Sequence, residues 1–288
     1  PKARIIDKAF KDKQVAPKVM IVILGGLLMG LLIPFALIYL FELFDNKIKS
    51  KHDIEKISNA IPIIGEVPQL EKGDNELVKM NDMSPLAESL RILITNMNFM
   101  VGKKKGKVVF VTSSVKGEGK TFVAVNLGLT IASPNKKTII IGADIRNPQL
   151  QRYNQERKGL KGLTEFLYED SLDYKTLVHK SIYNQYLDVM YSGSIPPNPT
   201  DLLSNGKFEN LIQELSQHYD YIILDTAPLM LVTDSFLIAE TADITLYVVR
   251  SRYTEKSLID FAKKNHESKK IKNVGFVLND VDKDYFGY

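Results

Sequence analysis

The longest break in the mixed pattern of apolar and polar positions comes early. Residues 19–41, VMIVILGGLLMGLLIPFALIYLF, carry no charge. At about 1.5 Å of rise per residue, a helix of that length crosses a hydrocarbon core of roughly 30 Å, so the pattern predicts one transmembrane helix. A secretory signal has a shorter apolar run, about 7–15 residues, and a small-residue cleavage site, and this stretch has neither. Within the stretch, Gly26 and Gly30 form a GxxxG that lets two such helices approach closely. Residues 42–82 then lose any sustained apolar period. They are charged, hold Pro62 and Pro68, contain one strand-like piece, IPIIGEVP, and read as a tether.

From Ser84 onward the pattern alternates between helical and strand-like periods. Helices are predicted over 85–100, 120–132, 162–169, 200–218, 234–241 and 255–268, and strands over 107–113, 138–143, 187–191, 221–225, 244–250 and 274–278. Strands such as YIILD and ITLYVV are almost wholly apolar, as expected when helices cover both faces of a parallel sheet. The alternation predicts an α/β fold, doubly wound around a mostly parallel sheet and preceded by one membrane helix.

Composition narrows the classes. With 44% apolar and 25% charged residues over 288 positions, the chain buries a full core, which excludes disorder and fibre. A net charge of +4, with basic residues spread along the chain, gives no electrostatic footprint for nucleic acid. The absence of cysteine removes disulfides, thiolate metal sites and thiol nucleophiles together, and fits a reducing compartment. Basic residues flank the apolar stretch on both sides (Lys2, Arg4, Lys8, Lys11, Lys13 and Lys18 before it; Lys47, Lys49, Lys51 and Lys56 after it), so charge bias alone leaves its orientation undecided. The chain opens PKARIIDKAF rather than on methionine, and an upstream part is expected.

The candidate chemistry begins with VVFVTSSVKGEGKTFVAVNLGLTIA, an apolar strand, a turn of small residues and an apolar helix. Such a turn points successive backbone N–H groups inward, and the helix N-terminus adds partial positive charge, which together hold a triphosphate. Ser114, Gly117, Glu118 and Gly119 form the loop, Lys120 reaches the β and γ phosphates, and Thr121 ligates Mg²⁺. Ser114 stands where the usual first glycine would. This makes the fold of the P-loop NTPase type. ATPases that position chromosomes or division sites carry a further lysine five residues before the loop lysine; here that residue is Val115, with Lys116 one place late. Magnesium takes one or two carboxylates plus phosphate oxygens, so acids are needed at the ends of neighbouring strands. IIIGADIR offers Asp144, and YIILDTAP offers Asp225. Arg146 has three possible partners: a phosphate, Asp144 or solvent.

Phosphate loop, acid-x-Arg strand and LDTAP strand, in one domain behind a membrane helix, resemble the bacterial tyrosine kinase (BY-kinase) family, Wzc-like polysaccharide co-polymerases. IPIIGEVP, SPLAESLRILITN, GSIPPNPTDLLSN and DTAPLMLVTDS look like family segments in family order. The resemblance implies the end of a periplasmic domain over 1–18, a transmembrane helix over 19–41 and a cytoplasmic linker over 42–82. A kinase domain over 83–280 and a tyrosine-bearing tail from 281 to 288 complete the chain. It further implies Walker A at SVKGEGKT, Walker A′ at IIIGADIR and Walker B at IILDTAP, with Lys120, Asp144 and Asp225 catalytic. ATP and Mg²⁺ would bind on the cytoplasmic side of the bacterial inner membrane, Mg²⁺ on Thr121, Asp144 and Asp225 and the nucleotide also near Arg146. The phosphoacceptors would be Tyr285 and Tyr288, phosphorylated by a neighbouring copy.

Expected partners are a homo-oligomeric ring assembled through the membrane helix and the helix bearing Glu88 and Arg91, a polysaccharide polymerase, an outer-membrane exporter and a cognate tyrosine phosphatase. The product regulated is capsule or exopolysaccharide. The chain departs from the family at Ile94, where the ring helix has its last arginine, and at Gly142, where Walker A′ has its first aspartate, a proposed base. A positioned base contributes about 10²–10⁴ in rate, so a kinase that reassigns the base to Asp144 or another acid remains the leading expectation. An ATP-gated scaffold with little phosphoryl transfer is the alternative.

Overall fold

The computed structural model describes residues 17–157 and 159–282. It divides into two compact units, Pro1–Asn46 and Lys47–Tyr288. In the first, helix α1 (Val19–Leu43) contains Pro34 and includes a 22-residue stretch, Val19–Leu40, without a charged residue and long and apolar enough to cross a membrane.

In the second unit, eight strands form one sheet: β1 (Ile63–Pro68), β2 (Lys107–Ser113), β3 (Thr138–Gly142), β4 (Val178–Lys180), β5 (Leu187–Met190), β6 (Tyr221–Asp225), β7 (Ile244–Arg250) and β8 (Val274–Val281). Their order is β1-β8-β7-β2-β6-β3-β5-β4, and every pairing is parallel except β4 with β5. The helices are α2 (Lys51–Ile57), α3 (Pro85–Val101), α4 (Lys120–Ile131), α5 (Leu163–Tyr168), α6 (Pro199–Leu203), α7 (Lys207–His218), α8 (Ser235–Glu240) and α9 (Lys256–Glu267). Two buried clusters cover the sheet's faces. One gathers α7, α9 and alternate strand residues such as Phe110, Ile222 and Phe276; the other gathers α3, α4 and the opposite alternates, Val109, Ile223 and Val277. Apolar residues at successive positions of β3 and β6 therefore serve both cores.

α3 starts where Ser84 caps it, its hydroxyl accepting from the Ala87 amide, with Pro85 in the first turn. Leu86, Leu90, Leu93 and Met97, at helical spacing, are the face it buries.

One expectation is corrected. Residues 47–82 are no tether: α2 and β1 are integral to the domain, and Ile48, Ile54, Ile61, Ile64, Val67 and Val78 are buried. The Asp53 carboxylate accepts from the Lys49 and Ser50 amides to start α2, and Asn126 on α4 accepts from the Val78 amide. β1 falls within the strand-like IPIIGEVP, but the other apolar residues here come in ones and twos, too sparse for a helical period to register α2. β1 is an edge strand whose only partner, β8, lies at the other end of the chain. β8 likewise runs to Val281 rather than 278, and the short β4 carried no signal because only three residues pair.

Candidate nucleotide and phosphoryl-transfer site

The chemistry gathers at the carboxyl ends of β2, β6 and β3, where an open parallel sheet presents its crevice. β2 leads through residues 114–119 into α4, whose first residues are Lys120 and Thr121. Gly119 has φ +96° and sits against the Asn279 amide, so a side chain there would meet both a strained backbone and a neighbour. α4 has no side-chain cap, which leaves its first amides for a ligand.

The loop is held from behind. Tyr253 donates to the Lys116 carbonyl (2.9 Å), Arg250 to that of Gly117 (3.0 Å), and the Asn279 amide to that of Glu118 (3.0 Å). Ser114 shares a hydrogen bond with the Tyr247 hydroxyl (2.9 Å). The Glu118 carboxylate turns inward, accepting from the Val115 amide (2.7 Å) and the Thr254 hydroxyl (2.5 Å). Glu118 and Ser114 were expected among the loop residues whose backbone amides hold the nucleotide; their side chains turn inward and shape the loop, where the Glu118 carboxylate does not face the phosphates. Burial pushes the Glu118 carboxyl up against the pull of these donors.

With its folded pKa raised, Glu118 contributes stability that is present below its unfolded value and lost as pH rises. Glu118→Gln mimics the neutral form and should keep nucleotide affinity and be at least as stable as wild type at pH 7. Glu118→Ala, which leaves two buried donors unsatisfied, should lose about 1–3 kcal/mol in urea denaturation.

Across the crevice, β3 and β6 run in register with Gly142 opposite Asp225. The Asp225 carbonyl accepts from the amides of Ala143 (2.8 Å) and Asp144 (3.0 Å), which fixes where β3 turns away. Both acids are buried, Asp144 2% and Asp225 1% exposed. The Thr121 hydroxyl donates to Asp225 Oδ1 (3.1 Å), and Lys120 Nζ lies 3.5 Å from Asp144 Oδ2. Asp144 Oδ1 accepts from the Asn147 amide (2.9 Å), while its Oδ2 has no hydrogen-bond partner. Two buried carboxylates, a hydroxyl and an orphaned carboxylate oxygen suit a hard cation that takes few protein ligands and completes its shell with phosphate and water. Among the described residues no cluster of three or more His, Cys, Asp or Glu forms a self-sufficient metal cage.

Burial pushes the Asp225 carboxyl up to about 6, partly offset by Lys120 and Thr121. The folded value lies above the ordinary 3.8, so this group stabilises fully below pH 4 and loses that contribution as pH rises towards 6. Relative to wild type, Asp225→Asn should therefore gain up to about 3 kcal/mol between pH 4 and pH 7 in nucleotide-free urea titrations. Parallel curves for the two proteins would remove the effect.

Arg146 does not pair with Asp144, and its side chain is 42% exposed to solvent. Its guanidinium donates from Nε (2.8 Å) and Nη2 (2.5 Å) to Asp234 Oδ2. Gly142 is closely packed: a Cβ there would lie 2.5 Å from Ser192 Oγ and 3.1 Å from the Ser192 amide. Glu88 and Arg91 sit on the exposed side of α3 and pair with each other (2.8 Å), Arg91 also reaching the Asp82 carbonyl. Tyr285 and Tyr288 lie outside the described residues. Asp234, Thr254, Arg250, Tyr253 and Asn279 escaped the sequence reading because each reaches its partner from a distant strand end. Asn279, at the polar end of an apolar strand, carried the one signal that could have been read.

Residues 106–274 match the AAA domain family model. The chain is 31% identical over 210 residues to the tyrosine-protein kinase CpsD of Streptococcus agalactiae serotype III, covering 73% of this chain and 89% of that one. It is 28% identical to the tyrosine-protein kinase ptk of Acinetobacter johnsonii over 99% of its own length and 40% of the relative's. The chain thus spans about 40% of the length of the longer curated relatives it matches, among them the tyrosine-protein kinase wzc of Salmonella typhimurium (41%). Among solved structures it resembles the chimerical protein CapA2B2 (TM-score 0.71, 30% identity, 81% of this chain and all of that one). It also resembles the BceF tyrosine kinase domain (TM-score 0.68, 29% identity, 82% and 99%). A phosphate loop facing two strand-end carboxylates, on a sheet shared with these kinase domains, shows that the chain belongs to the bacterial tyrosine kinase family.

Proposed function

We propose that this chain is an ATP-dependent protein tyrosine kinase, anchored in the bacterial cell membrane by α1, with its second unit in the cytoplasm. The observation that carries this reading is the meeting of Lys120, Thr121, Asp144 and Asp225 at one crevice, with Asp144 Oδ2 buried, not hydrogen-bonded and 3.5 Å from the Lys120 ammonium. The amides at the start of α4 and Lys120 bind the β and γ phosphates of ATP. Thr121, Asp144 and Asp225 are the residues that would hold magnesium, which when bound neutralises charge on the transferring phosphoryl group. Asp144 is the acid left to receive the tyrosine hydroxyl's proton, since position 142 carries none. The phenolic oxygen bonds to the γ-phosphorus, the bond to the β-phosphate oxygen breaks, and ADP leaves.

The phosphoacceptors are Tyr285 and Tyr288 of a neighbouring copy, in a ring assembled through the Glu88 and Arg91 face of α3 and through α1. Relatives named as tyrosine-protein kinases, one of them in a cps region of Klebsiella pneumoniae, support a role in capsule or exopolysaccharide polymerisation and export. That role brings in a polymerase, an outer-membrane exporter and a tyrosine phosphatase as partners. Incubation with ATP and Mg²⁺ followed by mass spectrometry should find phosphotyrosine in the segment after Asp282. Bound nucleotide without phosphotyrosine would instead favour an ATP-gated scaffold, which the close packing at Gly142 also suits.

A further inference from the structure

The segments that follow β6, β3 and β5, three neighbouring strands, are tied together at one point beside the site. Asp234 follows β6, Arg146 follows β3 and Thr200 follows β5. Asp234 is 3% exposed, and both its oxygens are used: Oδ2 takes Arg146 Nε and Nη2, and Oδ1 takes the Thr200 hydroxyl (2.6 Å). Arg146 Nη2 also reaches the Thr200 hydroxyl (3.3 Å). Asp234 occupies the cap position of α8, where an aspartate ordinarily accepts from the helix's own amides, yet it makes no cap hydrogen bond. Its carboxylate is diverted from the local partner to one 88 residues away.

What the diversion holds is the turn carrying Asp144. That turn has two tethers, Asp144 Oδ1 to the Asn147 amide and Arg146 to Asp234, and between them they fix which carboxylate oxygen faces Lys120. A planar guanidinium gripped through two N–H groups fixes orientation as well as position, which a lysine in its place would not do.

We propose that Asp234 is a positioning residue for phosphoryl transfer: through Arg146 and Thr200 it locks the turn after β3 so that Asp144 Oδ2 stays aimed at Lys120 and the magnesium side of the crevice. The assignment rests on the kinase reading for its consequence in rate, but its geometry is tested without phosphoryl transfer. The probe is ADP, titrated by calorimetry with and without Mg²⁺ into the whole chain in detergent or nanodiscs.

Arg146→Ala and Asp234→Asn should each cut the Mg²⁺-dependent gain in ADP affinity by about tenfold, and together no further, because both remove one lock. Arg146→Lys should behave like Arg146→Ala, and Mg²⁺-free ADP affinity should hold in every variant. Tail phosphorylation should fall in kcat, by up to about 100-fold, with KM for ATP little changed.

Additive losses, an intact Mg²⁺ gain in Asp234→Asn, or wild-type behaviour of Arg146→Lys would each overturn the proposal. If Asp234→Asn melts, Thr200→Val removes one hydrogen bond without stranding a charge and should shift the gain in the same direction by less. A folded Thr200→Val with an unchanged gain would sink the proposal too. Loss of the gain in a chain that never phosphorylates its tail would sustain the lock and dismiss the kinase.

Discussion

Asp144→Asn should lower tyrosine phosphorylation by about 10²–10⁴, the range a positioned base supplies, and leave Mg²⁺-free nucleotide affinity nearly unchanged. Asparagine keeps the shape of the side chain and its acceptor for the Asn147 amide, so the turn after β3 survives. It loses the negative oxygen 3.5 Å from Lys120, and with it the capacity to take a proton. The measurement is single-turnover transfer from labelled ATP to the tail, beside calorimetry of nucleotide binding. Equal rates in the two proteins would remove Asp144 from the mechanism. A parallel collapse of binding would make it a scaffold for the phosphate loop.

Gly142→Asp, which introduces the acid that the Walker A′ resemblance leads one to expect here, should harm this protein rather than improve it. The first side-chain atom would press on Ser192 Oγ at 2.5 Å, and the chain beyond it would need room that Leu150 partly fills, 3.4 Å away. Overpacking of this kind costs about 1–3 kcal/mol, or a few degrees of Tm for a domain of this size. Ser192→Ala in the same chain removes the offending hydroxyl, which is itself buried without a partner, and should return part of the stability. If Gly142→Asp alone matched wild type in Tm and exceeded it in phosphorylation, the packing account of this position would be wrong.

The phosphate loop was legible because strand, small-residue turn and helix follow one another within 25 residues, and local order alone dictates their geometry. Asp144 and Asp225 were legible for a similar reason: Asp225 ends an apolar strand, and Asp144 stands two residues beyond the end of another. What the sequence concealed was every contact closed by the sheet rather than by the chain. Arg146 gave no sign of Asp234, because the two meet only once β3 and β6 pair. Glu118 looked like a loop residue facing a ligand because nothing local announces the Thr254 hydroxyl behind it. The segment 47–82 looked like a tether because its isoleucines bury themselves against the last helix and strand, α9 and β8.

That last arrangement bears on how the molecule is made. β1 is synthesised early and waits for β8, with Ile63 aligned to Phe276, and the amide of Ile48 waits for the Thr254 carbonyl. Such pairings of distant segments close late. Until the final strand leaves the ribosome, β7 stands as an open, mostly apolar edge, and β1 has no strand to pair with. A chain stopped before Val274 would therefore present two unpaired strand edges, β7 and β1, so the sheet closes only when translation reaches its last strand.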